Sequence, residues 1–161
     1  MIVVADGHTF DFTDAIDAFV FDEKDKSNPR FHDAPMKAVD IVAEFEDAYL
    51  FIEIKEYGNE REIYKSEPDK FKWLKGYLKY KFRDTYLFRH AEGKVEKPIH
   101  YVCLLDFDNA LNITMRRALR SELPVGKKSK LWHHELATSL NVVDLEGWNR
   151  SFPKWPASRN G

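Results

Sequence analysis

The sequence predicts an α/β or α+β fold, a mixed β-sheet flanked by helices, in one domain spanning residues 1–161. Three observations predict it. Stretches with helical and with alternating apolar spacing follow one another in the order α-β-β-α-β-α-β, the mark of layered helices on a sheet. Two runs rich in β-branched and aromatic residues, 36–45 and 48–57, are separated only by Glu46-Asp47 and read as a β-hairpin. The run Tyr101-Val102-Cys103-Leu104-Leu105 is continuously apolar, as a strand buried on both faces is. With 43% hydrophobic and 14% aromatic residues, the 161-residue chain has material for one core, which excludes a disordered chain.

Each element has its own signal. Residues 13–21 carry Ala15, Ile16, Phe19 and Val20 behind Thr13 or Asp11 as N-cap, and read as a short helix. Residues 22–35 are polar, with Asn28-Pro29 and Ala34-Pro35, and read as a loop. After the hairpin comes a polar connection, 58–67. Pro68 then sits at a first-turn position and opens a long helix to Arg89 or His90. Residues 99–107 form the buried strand. If it runs parallel to the second hairpin strand, the crossover is right-handed. Asp108 or Asn109 caps a second helix running to about Leu123 and stopped by Pro124-Val125-Gly126. Two further strand-like pieces, 131–136 and 141–145, precede an irregular tail, 147–161. Its Trp148, Phe152 and Trp155 are expected to pin the tail to the domain or to a second subunit.

Composition narrows the function classes. The longest apolar runs are far shorter than the roughly 20 residues that span a bilayer, so no membrane role is expected. The N-terminus has no basic region followed by an apolar one, which predicts no secretory signal. A lone cysteine in an apolar run, Cys103, points to a reducing, cytoplasmic setting. CxxC, HExxH, Walker A, GxGxxG and GxSxG patterns are all absent. The net charge of −2 conceals a division: residues 1–60 sum to −10 and residues 61–161 to +8. Such blocks either neutralise each other on the folded surface or place an acidic pocket beside a surface for a polyanion.

The hairpin carries the sharpest chemical signal. With Glu46-Asp47 as a two-residue turn, Phe45 pairs with Ala48 and Asp40 lies directly across from Glu53. Lys55 falls on the same face two residues on. The other face collects Val39, Ile41, Ala43 and Phe45 with Leu50, Ile52 and Ile54, a set fit for burial. Directly opposed carboxylates repel unless a cation lies between them or one is protonated. A hard divalent cation, Mg²⁺ or Mn²⁺, meets that need with oxygen ligands, and beside a lysine it equips the face for phosphodiester hydrolysis. The alternative is a solvent-facing strand surface with ordinary cross-strand salt links, each worth below about 1 kcal/mol.

Asp40 followed by Glu53-Ile54-Lys55 thirteen positions later resembles the PD-(D/E)xK nuclease superfamily, the restriction-endonuclease-like fold. The order helix, β-meander, helix, strand over residues 10–107 is similar to that fold's core. The resemblance implies a Mg²⁺- or Mn²⁺-dependent hydrolase acting on DNA, with Asp40 and Glu53 as metal ligands and Lys55 as the catalytic lysine. It also implies an acid from the first helix, for which Asp22, with Asp17 or Glu23 behind it, is the candidate third ligand. Val39 stands where the family name has proline. Acid-x-Lys occurs three times in the chain, at Asp22, Glu53 and Glu92, and only the middle instance lies in an apolar strand opposite an aspartate.

On the long helix, Phe71, Leu74, Leu78 and Phe82 form an apolar stripe, and Lys72, Lys75, Lys79 and Arg83 form a basic one displaced by one residue. The basic stripe either tracks a phosphate backbone or is a solvated face. A second basic group, Arg116, Arg117 and Arg120 with Lys127, Lys128 and Lys130, is equally open. Asp106 and Asp108 are read as a strand end and a helix N-cap, and adjacent His133 and His134 on a strand point apart. Two rivals to the nuclease remain: an inactive module of the same fold binding nucleic acid or protein, and a bacterial defence or immunity protein with a protein partner. A homodimer is the further partner expectation.

Overall fold

The computed structural model describes residues 1–161 and shows a mixed α/β architecture with two sheets. A three-stranded antiparallel sheet pairs β1 (Ile2–Ala5), β2 (His8–Asp11) and the C-terminal β8 (Ala157–Arg159). The five-stranded sheet has the order β3 (Asp17–Val20), β4 (Ile41–Glu44), β5 (Tyr49–Lys55), β6 (Ile99–Leu105), β7 (Ser139–Val143). Strands β3, β4 and β5 form an antiparallel meander, whereas β5, β6 and β7 are parallel. After β5 come a single 3-10 turn at Gly58–Glu60 and the short α1 (Ile63–Ser66). The crossovers are α2 (Pro68–Ala91) between β5 and β6, and α3 (Asn109–Arg120) between β6 and β7. The short α4 (Leu145–Ser151) follows β7. No helix is long and apolar enough to cross a membrane.

The large sheet is buried on both faces, and side-chain alternation sorts its residues into two cores. Tyr49 and Phe51 of β5 with Tyr101 and Cys103 of β6 pack against Leu74, Leu78 and Phe82 of α2 and Met115 and Leu119 of α3. Leu50, Ile52 and Ile54 with Val102 and Leu104 face the other way, onto Phe10 of the small sheet, Phe12 just after β2 and Trp148 of α4. The continuous apolar run of β6 therefore serves two cores, as its sequence predicts. The hairpin forms with the expected register: Ile41 opposes Ile52 and Glu44 opposes Tyr49, and the Phe45 N–H donates to the Ala48 carbonyl at 2.8 Å across the turn. The long helix, its proline start and the Asp108 cap of α3 also stand, with Asp108 accepting from the Leu111 N–H at 2.8 Å.

Four expectations are corrected. The region 13–21 is a turn followed by β3, because its backbone pairs with β4, starting with the Ile16 N–H to the Glu44 carbonyl at 2.8 Å. The region 131–136 is not a strand; Leu131, His133 and His134 are exposed and no strand pairs with them. The tail is ordered into α4 and β8, with Asp144 capping α4 by accepting from the Gly147 N–H at 2.8 Å. The segment before β4 is not strand either: the chain bends at Asp40, and Val39 joins the α2-side core rather than the core of Ile41.

The N-terminal hairpin was not foreseen, although Asp6-Gly7 between apolar runs is a strong hairpin signal. Both residues have positive φ, 43° and 74°, as a type I′ turn requires, and Ala5 pairs with His8 across it. Trp148 joins this sheet to the large one. It is fully buried, packs edge-on to Phe10 at 5.2 Å and donates its indole N–H to the Trp155 carbonyl at 2.7 Å. Trp148→Ala is expected to cost about 3–5 kcal/mol in urea unfolding, the usual loss for a buried large aromatic. A loss under about 1 kcal/mol contradicts that placement.

Candidate active site

Helix α2 decides how Asp40 is held. The segment 37–40 leaves the sheet before β4 begins, so its backbone polar groups need other partners. Three side chains from neighbouring turns of α2 supply them. Asp84 accepts from the Lys37 N–H at 2.7 Å, Thr85 Oγ1 accepts from the Val39 N–H at 3.0 Å, and Lys81 Nζ donates to the Ala38 carbonyl at 2.6 Å. Asp40 follows directly, with its carbonyl accepting from the Phe21 N–H at 2.8 Å. Its carboxylate turns toward β5, where Oδ2 accepts from the Ile54 N–H at 2.7 Å, past the end of the β4 ladder.

Asp40, Glu53 and Lys55 are brought together as the register requires. Asp40 is 9% exposed and Glu53 fully buried, so this face is covered by the fold rather than an open strand surface. Neither carboxylate oxygen of Glu53 has a hydrogen-bond partner. Two ammonium groups stand near: Lys81 Nζ at 3.5 Å and Lys55 Nζ at 3.8 Å, both too long for a hydrogen bond. An unpartnered buried polar atom costs about 1–3 kcal/mol, and more when charged, so it calls for a physical reason.

The electrostatics follow from burial. Desolvation pushes the Asp40 carboxyl up to about 7; the Ile54 N–H and Lys81 oppose it, while Asp6 adds to it. Desolvation, with repulsion from Asp40, pushes Glu53 up to about 8 against the pull of Lys81 and Lys55. For Lys55, burial pulls downward, but Tyr77 and the charges of Glu53 and Asp40 outweigh it and hold the ammonium above its ordinary value. Lys81 is likewise raised: burial lowers it, and Glu53 leads the opposing group. The site thus holds two charged lysines against two carboxyls that resist ionising together.

Two contributors add to the residues expected at this site: Lys81, expected only as further positive charge on the long helix, and Asp6, which no sequence signal marks as a site residue. Lys81 extends the inward stripe of Leu74 and Leu78 by one turn, a position that hydrophobicity could not flag. Asp6, in the Asp-Gly turn of the small sheet, stands beside Asp40 and adds negative charge there. The proposed third acid, Asp22, lies just past the end of β3 and pairs with Lys24 at 2.7 Å. No three acid, histidine or cysteine side chains converge as a metal cluster. The pair Asp40 and Glu53 supplies two oxygen ligands, which suits Mg²⁺, since that ion commonly takes one or two carboxylates and completes its shell with water and phosphate.

The basic stripe divides. Lys75 and Lys79 both pair with Glu122, at 3.2 and 3.5 Å, and so tie α2 to the end of α3. Arg83 lines a cleft of about 800 Å³ with Arg120 and Lys128, and Lys72 lies on the side of α2 near Lys37 and Tyr77. Asp106 takes the structural role read for it, accepting from the Tyr57 and Gly58 N–H groups at 2.9 Å each and fixing the exit from β5. Comparison with protein-family models, with curated proteins and with solved structures finds no match.

A carboxyl whose folded pKa lies above its unfolded value near 4 binds more protons in the native state. Its contribution to stability therefore falls as pH rises from about 4 to about 8. In metal-free buffer, Glu53→Gln is expected to raise the melting temperature above wild type at pH 8 and to lose that advantage at pH 5. A difference independent of pH, or reversed in sign, contradicts the raised Glu53 pKa.

Proposed function

We propose that the protein is a divalent-metal-dependent nuclease that hydrolyses phosphodiester bonds, with DNA as substrate. One observation carries the reading: Glu53 is fully buried with both carboxylate oxygens free of hydrogen bonds, one residue past the last β4–β5 pair and beside Asp40, whose Oδ2 accepts from the Ile54 N–H at 2.7 Å. Such a pair is costly in water-free surroundings and becomes favourable when a hard cation shares its oxygens. The meander followed by α2 and a parallel β6 gives further support, because it is the element order expected of a PD-(D/E)xK nuclease from its meander onward. The helix expected at 13–21 is instead a turn and the first meander strand, β3, and from the hairpin β1–β2 before it Asp6 comes to stand beside Asp40.

Asp40 and Glu53 are the residues that would hold Mg²⁺ or Mn²⁺. The bound ion would supply a water of lowered pKa and offset charge on the phosphoryl oxygens. Lys55 keeps its proton in this setting, so it serves as a fixed positive charge beside the developing negative charge on phosphate rather than as a free base. Lys81 has a different position. Its hydrogen bond to the Ala38 carbonyl and its approach to Glu53 make it a positioning residue that fixes the segment before Asp40 relative to β5.

Lys55 is only partly buried, and its contacts are confined to Glu53 at 3.8 Å and the Tyr77 ring, so its loss should separate chemistry from stability. Lys55→Ala is expected to fold as wild type and bind metal, yet to cleave DNA at least about a hundredfold more slowly, the scale of removing one electrostatic stabiliser. The assay offers linear duplex, supercoiled plasmid and single strands with Mg²⁺ or Mn²⁺, against EDTA. Cleavage that survives EDTA, or equal cleavage by the variant, contradicts the assignment. Failure of metal-loaded wild type to cut any substrate contradicts the enzyme itself.

A further inference from the structure

Helix α2 has a glycine near its middle, Gly76, where glycine costs about 1 kcal/mol relative to alanine. A side chain there would meet nothing within 4 Å, so no close packing demands the glycine. What its absence of side chain creates is an open hollow of about 430 Å³ on the helix surface. The walls are aromatic and come from the neighbouring turns: Trp73 three residues before, Tyr80 four residues after, and Tyr77 beside it. Trp73 is 58% and Tyr80 48% exposed, and Trp73 stacks on Tyr77 with centroids 5.3 Å apart and planes within 19°. Single exposed aromatics are ordinary, but three around one glycine form a platform of flat faces.

The charge around the platform is positive and reaches the candidate active site. Lys37 and Lys72 line the hollow against one acid, Asp69. The Tyr77 ring is shared by three ammonium groups, Lys37 at 5.2 Å, Lys81 at 5.1 Å and Lys55 at 5.0 Å from its centroid. Tyr77 therefore joins the hollow to the lysine proposed to act on the scissile phosphate. Flat aromatic faces flanked by lysines fit an unpaired base on a phosphate backbone, since every base offers a π-face and duplex bases are already stacked. The hollow lies within the size range of small-ligand sites, about 300–1,000 Å³.

We infer that the hollow over Gly76 seats an unstacked base of single-stranded DNA, with its neighbouring phosphates on Lys37 and Lys72, and so makes single strands the preferred substrate. The inference rests on the nuclease reading for what happens to the strand once seated, but seating itself needs no metal.

The test is fluorescence anisotropy in EDTA with three labelled probes of equal length: a deoxythymidine oligomer, an oligomer of abasic sites and a duplex. Wild type is expected to bind the base-bearing single strand at least about tenfold more tightly than the abasic strand, the scale of one base–aromatic stack. Trp73→Ala and Tyr80→Ala should each remove about that factor. Gly76→Leu should do the same by filling the hollow, and because leucine favours helix over glycine, a weakened variant with an unchanged or raised melting temperature excludes unfolding as the cause. Equal binding of the base-bearing and abasic strands, tighter binding of the duplex, or unchanged affinity in Gly76→Leu overturns the assignment. Cleavage with Mg²⁺ separates the two readings. Wild type that cuts duplex while single strands bind no better than abasic ones sinks the hollow and leaves the nuclease. Single strands seated through the hollow and never cut keep the hollow and sink the nuclease.

Discussion

A carboxylate with no hydrogen bond, buried where the meander meets the parallel half of the sheet, is the constraint around which this structure is arranged. Glu53 lies beside Asp40 and opposite Cys103, and α2 brings Lys81 to 3.5 Å from it. Taking an acid into such a place is unfavourable unless positive charge accompanies it. The protein places two lysines within 4 Å of Glu53 yet gives it no direct hydrogen bond, and it adds Asp40 and Asp6 rather than removing charge. With both carboxyls raised toward neutral pH, protons offset this crowding of acids in the metal-free protein.

The same helix that covers Glu53 also builds the approach to Asp40. Along its inward face Leu74 and Leu78 pack on Phe51 and Tyr101, and one turn later the face changes character to Lys81, Thr85 and Arg89. Lys81 and Thr85, with Asp84 beside them, hold the backbone of residues 37–39, so the position of Asp40 depends on helix residues 43 to 47 positions downstream of the groups they hold. On the far side of the sheet, Glu56 adjacent to Lys55 takes Arg159 at 2.6 Å and His8 at 3.1 Å, which fastens the end of β5 to the small sheet. Both ends of the site are thereby tied to elements remote in sequence, an arrangement suited to holding like charges in place.

What the sequence made legible was local. The hairpin register follows from a two-residue turn and strict alternation as far as Ile41 and Ile52; the opposition of Asp40 and Glu53 expected one pair further gives way to a bend at Asp40 that still leaves the two acids close. The proline start of α2 and the Asp108 cap were readable for the same reason. Residues 13–21 read as a helix because Ala15, Ile16, Phe19 and Val20 recur at helical and not at alternating spacing, and pairing with β4 overrides that pattern. Helix α4 was hidden by its length and by Gly147 and Asn149, both poor helix formers. Lys81 and Asp6 were beyond reach: a charged residue on an inward helix face carries no apolar signal, and a turn in one sheet reaches an acid in another only through tertiary structure.

The most direct measurement is anomalous scattering from a crystal soaked in Mn²⁺. An ion bonded to carboxylate oxygens of both Asp40 and Glu53, at the roughly 2.0–2.2 Å typical of small divalent ions, is the result predicted. The same crystal showing Mn²⁺ elsewhere only, with Glu53 drawn into direct hydrogen bonds with Lys81, would contradict it and make the buried acid a structural ion pair.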